Sequence, residues 1–263
     1  MDNLLCLWDA KAIRCSNMQG HNSTISKILV DDRNIGISSS YDASLLVWDL
    51  DTLSCLQGLF NTHKDAVVEF EWRNSLVVSG DRGGSMAIWD INTGKTVRDM
   101  PGAHSGAVSK ICFYSDGVEN NLILSAGQKD GCLIAHDMRS HQPISKNQVH
   151  NAAINFLGTN LSGFTITGSG DKTIKTFDIF NSLKPMSLMK TTDAVFCGEV
   201  LQNLVLVGCG DGNILCFDTD SSQCLYGYGA DSKGAVHCLG INEDRDCLVT
   251  GGDSGQGLCI NFC

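Results

Sequence analysis

The chain has 263 residues, of which 43% are hydrophobic and 18% charged, enough apolar surface to bury a sizeable core and too little charge for a disordered tail. With 19 basic and 29 acidic residues the net charge is -10, and the signs are interspersed, which disfavours a binder of nucleic-acid backbones. The 28 glycines against 3 prolines suit tight turns between strands and argue against a proline-rich linker, so a single domain over 1-263 is expected.

In chain order, the apolar run Leu4 to Leu7 follows Asp2 and precedes Trp8-Asp9, without the basic flank or cleavage site of a signal peptide. No later stretch approaches the roughly 20 apolar residues of a membrane-crossing helix. A soluble cytoplasmic protein is expected, with the nucleus as the alternative and no membrane partner. The 13 cysteines are odd in number and lack CxxC spacing. Cys112, Cys197, Cys209, Cys216, Cys238 and Cys247 lie in apolar runs and read as small buried hydrophobes of a reducing compartment. The sequons at Asn22 and Asn160 would matter only in a secreted chain.

One segment recurs along the chain: Leu4 to Asp9 (LLCLWD), Leu45 to Asp49 (LLVWD), Met86 to Asp90 (MAIWD), Leu133 to Asp137 (LIAHD), Ile174 to Asp178 (IKTFD) and Ile214 to Asp218 (ILCFD). The residue before each final Asp is Trp8, Trp48, Trp89, His136, Phe177 and Phe217, at steps of 40, 41, 47, 41 and 40; a degenerate seventh copy puts Asn261 in that slot 44 residues on. Each unit reads as four short strands, for example Ile25 to Val30, Ile35 to Ser39, Leu45 to Trp48 and Leu53 to Leu59. The first three runs are apolar on both faces, as strands covered on both sides must be, whereas a fourth such as Thr96 to Met100 is polar and suits an outer edge.

Four-stranded units of about 40 to 45 residues with Gly-His and Trp-Asp markers resemble the WD40 family of β-propellers. The markers Gly20-His21, Thr62-His63, Ala103-His104 and Val149-His150 precede four successive third strands, and the resemblance covers the whole chain. It implies an all-β propeller of four-stranded blades. The count of two strands, five full units and three strands fits a seven-blade register with an incomplete first blade, read as N-terminal incompleteness. The alternative is six-bladed closure, with Ala235 to Gly252 joining Asp2 to Ser16.

The resemblance also implies a buried hydrogen-bonded chain in each blade. Its members are complete as His21, Ser40, Asp42 and Trp48, and nearly so as His150, Ser169, Asp171 and Phe177, where phenylalanine lacks the indole donor. In the next blade Asp81 fills the Ser slot while Gly83 replaces the turn Asp; Gln128, Asp130 and His136 accompany His104; and Thr191 and Ser232 stand in the His slots of later blades. The His and Asp pairs imitate a catalytic dyad, but repetition at equivalent positions is what packing requires.

Chemistry-bearing motifs are lacking. Gly168 to Thr173 (GSGDKT) puts Asp171 before Lys172 where a phosphate loop needs Gly, and Gly-x-Ser-x-Gly does not occur. No enzyme, cofactor, metal or small-molecule substrate is expected; His141 and His237, the two histidines outside the repeat, are too few for a metal site. The expected function is a non-catalytic scaffold that binds peptide segments or domains of partner proteins within a multiprotein complex, by analogy of fold. The slots that face partners in the family hold Thr24, Ser26, Tyr41, Val68, Arg82, Ser109, Lys129, Asn155, Phe196 and His237, beside small residues at Ala66, Ala107, Ala153, Ala194 and Ala235. The basic Arg82 and Lys129 suggest a partner carrying a carboxylate or phosphate. The alternative function is a substrate receptor of a cullin-RING ubiquitin ligase, since Asp137 and Arg139 resemble the family's WDxR adaptor box with His136 in place of Trp.

Overall fold

The computed structural model describes residues 2–8, 15–114, 121–140, 142–160, 163–231, 233–242 and 245–261. Its strands form seven antiparallel sheets of consecutive strands. The first pairs β1 (Leu5–Trp8) with β2 (Cys15–Met18); the second holds β3 (Ile25–Val30), β4 (Ile35–Ser40), β5 (Leu45–Asp49) and β6 (Ser54–Leu59). The third holds β7 (Val67–Arg73), β8 (Leu76–Asp81), β9 (Met86–Asp90) and β10 (Lys95–Met100). The fourth holds β11 (Val108–Phe113), β12 (Leu122–Gly127), β13 (Cys132–Asp137) and β14 (Pro143–Gln148). The fifth holds β15 (Ile154–Thr159), β16 (Phe164–Ser169), β17 (Thr173–Asp178) and β18 (Lys184–Lys190). The sixth holds β19 (Val195–Leu201), β20 (Leu204–Cys209), β21 (Asn213–Asp218) and β22 (Cys224–Gly229); the last holds β23 (Val236–Ile241), β24 (Cys247–Gly252) and β25 (Gly257–Asn261). The two strands, five sets of four and final three expected from the repeat are present. Of the expected strand over Lys11 to Ser16, residues 11–14 lie outside the described residues, as do Asp9, Ser232 and His141.

Two compact units, Met1–Ile111 and Cys112–Cys263, divide the chain inside β11. In the first unit, Ile37, Leu45 and Val47 of the second sheet pack on Val67, Phe70, Val77 and Trp89 of the third. Leu5 and Met18 of the first sheet pack on Leu46 and Trp48. In the second unit, Leu124, Leu133 and Ala135 meet Ile154, Leu157 and Phe177, and Phe156, Ile166 and Ile174 meet Val195, Val205 and Phe217. Each fully buried Val, Leu, Ile or Phe contributes roughly 1.5–3 kcal/mol. Second and third strands such as β4, β5, β8 and β9 are buried at nearly every position, which is why they read as continuous apolar runs. The first strands depart from expectation: β3 alternates, leaving Ile28 and Val30 exposed. Cys238 is also exposed, whereas Cys209 and Cys216 are buried as expected.

Two bulges recur. Between first and second strands the register skips one residue: Ser26, Val68, Asn155, Phe196 and His237 each stand without a partner across the ladder. Between third and fourth strands the skipped residues are Leu56, Val97, Ile144, Met186 and Leu225, all exposed. A bulge turns one side chain out of the pleat, so the same two places in successive sheets present a side chain outward. Among the described residues no helix is long and apolar enough to cross a membrane.

Candidate functional site

Among the described residues three pairs of a buried histidine with an aspartate sit at the sheet ends where first strands begin. His21 places Nδ1 3.1 Å from Asp42 Oδ2 and Nε2 2.7 Å from Ser38 Oγ, and the Trp48 indole donates to the same oxygen at 2.8 Å. A carboxylate only accepts, so Nδ1 carries the proton; Nε2 then accepts from the Ser38 hydroxyl, whose oxygen takes the indole N–H. The chain therefore runs Trp48, Ser38, His21, Asp42. Burial opposes charge on Asp42, but donors from Ser44 and the Asn22 N–H, together with His21, hold its carboxyl below the ordinary value.

The serine of this chain is Ser38, which corrects the expected Ser40. Both lie on one face of β4, but Ser38, two residues from the Gly36 that pairs with Trp48, meets the N–H edge of the indole, while Ser40 ends the strand. There Ser40 Oγ accepts from the Asp42 N–H at 3.1 Å and donates to Ser23 O at 3.2 Å, shaping the turn. The same correction holds in the fifth sheet: His150 bonds Asp171 at 3.0 Å and Thr167 Oγ1 at 2.8 Å, while Ser169 accepts from the Asp171 N–H. Phe177 supplies no donor to Thr167.

A second complete chain runs through the third sheet, where the sequence pattern showed a gap. His63 Nδ1 bonds Asp81 Oδ2 at 2.9 Å, His63 Nε2 bonds Ser79 Oγ at 2.6 Å, and Trp89 Nε1 donates to Ser79 at 2.8 Å. Asp81 reaches the imidazole from the slot that Ser40 fills in the second sheet, making good the carboxylate that Gly83 lacks. None of these chains presents an accessible nucleophile: His21, His63, His150, Ser38 and Ser79 are all buried. Among the described residues no group of three or more His, Cys, Asp or Glu could hold a metal ion.

The residues expected to meet a partner fall into both units. In the first, Tyr41 is 48% exposed, with its N–H bonded to Thr24 O at 2.9 Å. Arg82 is exposed, and its guanidinium pairs with Asp65 at 3.1 Å, so it is no uncompensated cation. Val68 and Ser109 are half-buried, and Ser26 is tied by its hydroxyl to Ser39 Oγ and Val67 O. Below this end Lys27 bridges Glu69 and Glu71, and Lys110 approaches Glu69 at 3.5 Å. Burial alone would lower the Lys27 ammonium; the two carboxylates overcome it and raise it.

In the second unit Phe196 and His237 stack edge to face at 5.3 Å, and His237 Nε2 lies 2.8 Å from Asp253 Oδ1. Lys129 is exposed, but Asn155 spends its amide on Val195 O at 2.8 Å, stitching the fifth sheet to the sixth. Ser26 and Asn155 therefore join neighbouring sheets rather than standing open. The ladder register separates these roles; sequence position alone does not. At the far end of β13, Arg139 is exposed and folds onto Asp137 through Nε at 3.0 Å and Nη2 at 2.9 Å.

No family model matches the chain. It is 25% identical over 186 residues to the APC/C activator protein CDC20 of Saccharomyces cerevisiae, a match covering 70% of this chain and 30% of that protein. It is 24% identical over 249 residues to the WD repeat-containing protein 55 of Arabidopsis thaliana, covering 94% of this chain and 58% of that protein. The chain spans less than two thirds of the length of either curated relative. In structure it superposes on a chain of the mitotic checkpoint complex with a TM-score of 0.85 at 18% identity, covering 98% of this chain and 81% of that one. With the four-stranded sheets and the Trp-Ser-His-Asp chains described above, these likenesses show a β-propeller fold of the WD40 type, in a chain similar to WD-repeat proteins.

Proposed function

We propose that this chain is a non-catalytic interaction scaffold that recognises segments of partner proteins through the end of its sheets where the first strands begin. The observation that supports this reading most is the recurrence of the bulge, which takes Val68, Phe196 and His237 out of the ladder at the same place in their sheets, with Tyr41 and Arg82 exposed in the first unit and Lys129 in the second. Tyr, Phe and Arg are the residue types that carry interface energy. Because Arg82 is held by Asp65, a partner segment that docks there must exchange that pair. Its place in a multiprotein complex of the cytoplasm is part of the same reading.

The test is affinity capture from cell extract with mass spectrometry, followed by the Tyr41→Ala/Arg82→Ala variant. Capture should weaken while the melting temperature stays within a few degrees, since exposed substitutions usually change stability by under about 0.5 kcal/mol. Unchanged capture rejects this end as the docking surface. A second reading, a substrate receptor of a cullin-RING ligase, draws on the exposure of Arg139 at the end of β13. Its bidentate hold on Asp137 means that an adaptor must compete for the guanidinium. Capture of a cullin adaptor that is lost on Arg139→Ala supports it, and absence of capture rejects it.

A further inference from the structure

A groove of about 710 Å³ lies in the second unit, walled by β14 on one side and by β17 and β18 on the other. Val149, Leu183, Met186 and Leu188 give it apolar surface, and Lys146 and Lys175 also line it. Met186 is the outward-turned bulge residue of β18, and it and Leu188 are 55% and 53% exposed. No carboxylate stands among the lining residues. In a chain of net charge -10 this is a local reversal of sign. Lys184 and Lys190, at the two ends of β18, extend it, with Asp178 opposite Lys184 in the ladder. The Lys175 ammonium bonds a neutral carbonyl, Val149 O, at 2.6 Å, which leaves its charge uncompensated there.

Both walls carry outermost strands, and nothing pairs with the outer sides of β14 and β18 among the described residues. Such edges accept an extended chain unless charge or proline guards them. Pro143, Lys146, Pro185 and the lysines of β18 are guards of that kind. Lysines repel a basic strand, but a segment bearing carboxylates turns that repulsion into attraction. We propose that this groove docks an extended partner segment that alternates acidic and apolar residues, its apolar side chains on Met186 and Leu188 and its carboxylates toward Lys175. The groove shares no residue with the docking surface proposed above and does not depend on it.

The probe is a fluorescein-labelled decapeptide of alternating Glu and Leu, titrated against the full chain by fluorescence anisotropy. Binding should weaken at least tenfold in Met186→Glu/Leu188→Glu and in the milder Met186→Ser/Leu188→Ser, both checked for an unchanged melting curve. It should also weaken on raising salt from about 50 to 500 mM, because exposed charge pairs are screened. Tyr41→Ala/Arg82→Ala should leave it intact, which separates failure here from failure of the interface proposed above. Absence of binding, equal binding of a Lys and Leu peptide, or indifference to both groove variants overturns the proposal. Concentration-dependent dimerisation in sedimentation that Met186→Glu abolishes also overturns it, assigning the groove to a second copy of the chain.

Discussion

Trp48 and His21 are joined through a single oxygen: Ser38 Oγ takes the indole N–H at 2.8 Å and gives its own proton to the imidazole Nε2 at 2.7 Å, with the two rings edge-on at 6.4 Å. One hydroxyl thus satisfies a buried donor and a buried acceptor that lie on different elements. Ser38→Ala removes both partners at once and leaves two unsatisfied groups in a site of no exposure, at about 1–3 kcal/mol for each buried group left unpaired. Ser40→Ala, by contrast, loosens a turn whose backbone bond from Ser40 N to Ser44 O at 3.1 Å remains. Urea titration should therefore rank Ser38→Ala as the more destabilising. The opposite ranking would restore Ser40 as the hub.

The third sheet gives an independent check of the same logic. Asp81 is the acceptor for His63 Nδ1 and also takes the Ser85 N–H at 2.8 Å through Oδ1. Asp81→Ala should lower stability at least as much as Asp42→Ala, by about 1–3 kcal/mol, since Asp81 is the more deeply buried of the two. A change at Asp81 well below that at Asp42, read from denaturant midpoints, would show that the third sheet does not use its carboxylate in this way.

The turns after the second strands set up a pair of opposite substitutions. Ala43 holds φ +67°, a left-handed conformation costly to a residue with a Cβ, whereas the equivalent turn of the third sheet has Gly84 at φ +91°. Ala43→Gly relieves the strain against the greater chain entropy of glycine when unfolded, so a gain of up to about 1 kcal/mol is expected. Gly84→Ala does the reverse, with its new Cβ 2.2 Å from His104 O, and should destabilise by more than 1–2 kcal/mol. Thermal melts of the two variants should move in opposite directions.

Much of the architecture was legible because the repeat marks the third strand: Trp48, Trp89, Phe177 and Phe217 each precede an aspartate that ends it. The identity of the bonded serine was not, since Ser38, Ser39 and Ser40 run consecutively and are all buried, and only the folded geometry shows which one the indole N–H reaches. Asp81 escaped for a related reason. A slot-by-slot reading treats its carboxylate as a substituted serine, while in three dimensions it reaches the histidine that the turn residue reaches elsewhere. Ser26 and Asn155 looked like open recognition residues because a bulge adds one position that no periodicity of two can flag. The exposed ladder of Leu56, Val97, Ile144, Met186 and Leu225 was hidden by the same extra residue.

Proton linkage offers a last test, at His150. Burial holds its imidazole below the ordinary 6.5, and although Asp171 pulls the other way, desolvation wins. The folded state therefore takes up a proton less readily than the unfolded chain. Stability from this residue is fully present above about pH 6.5 and is lost as pH falls below it, because the unfolded state then binds the extra proton. Asp171, whose carboxyl is lowered, works the same way in a separate window, its contribution present above 3.8 and lost as pH falls through the lower folded value. Measured by urea titration between pH 7.5 and 5, His150→Gln should be less stable at pH 7.5, where it lacks the bonds to Asp171 and Thr167. Its stability should fall less steeply with acid than that of the original chain, by at most about 1.4 kcal/mol per pH unit for one proton. Equal slopes would remove His150 from the linkage. A steeper loss in the variant would mean that the protonated pair with Asp171 stabilises the fold, reversing the sign argued from burial.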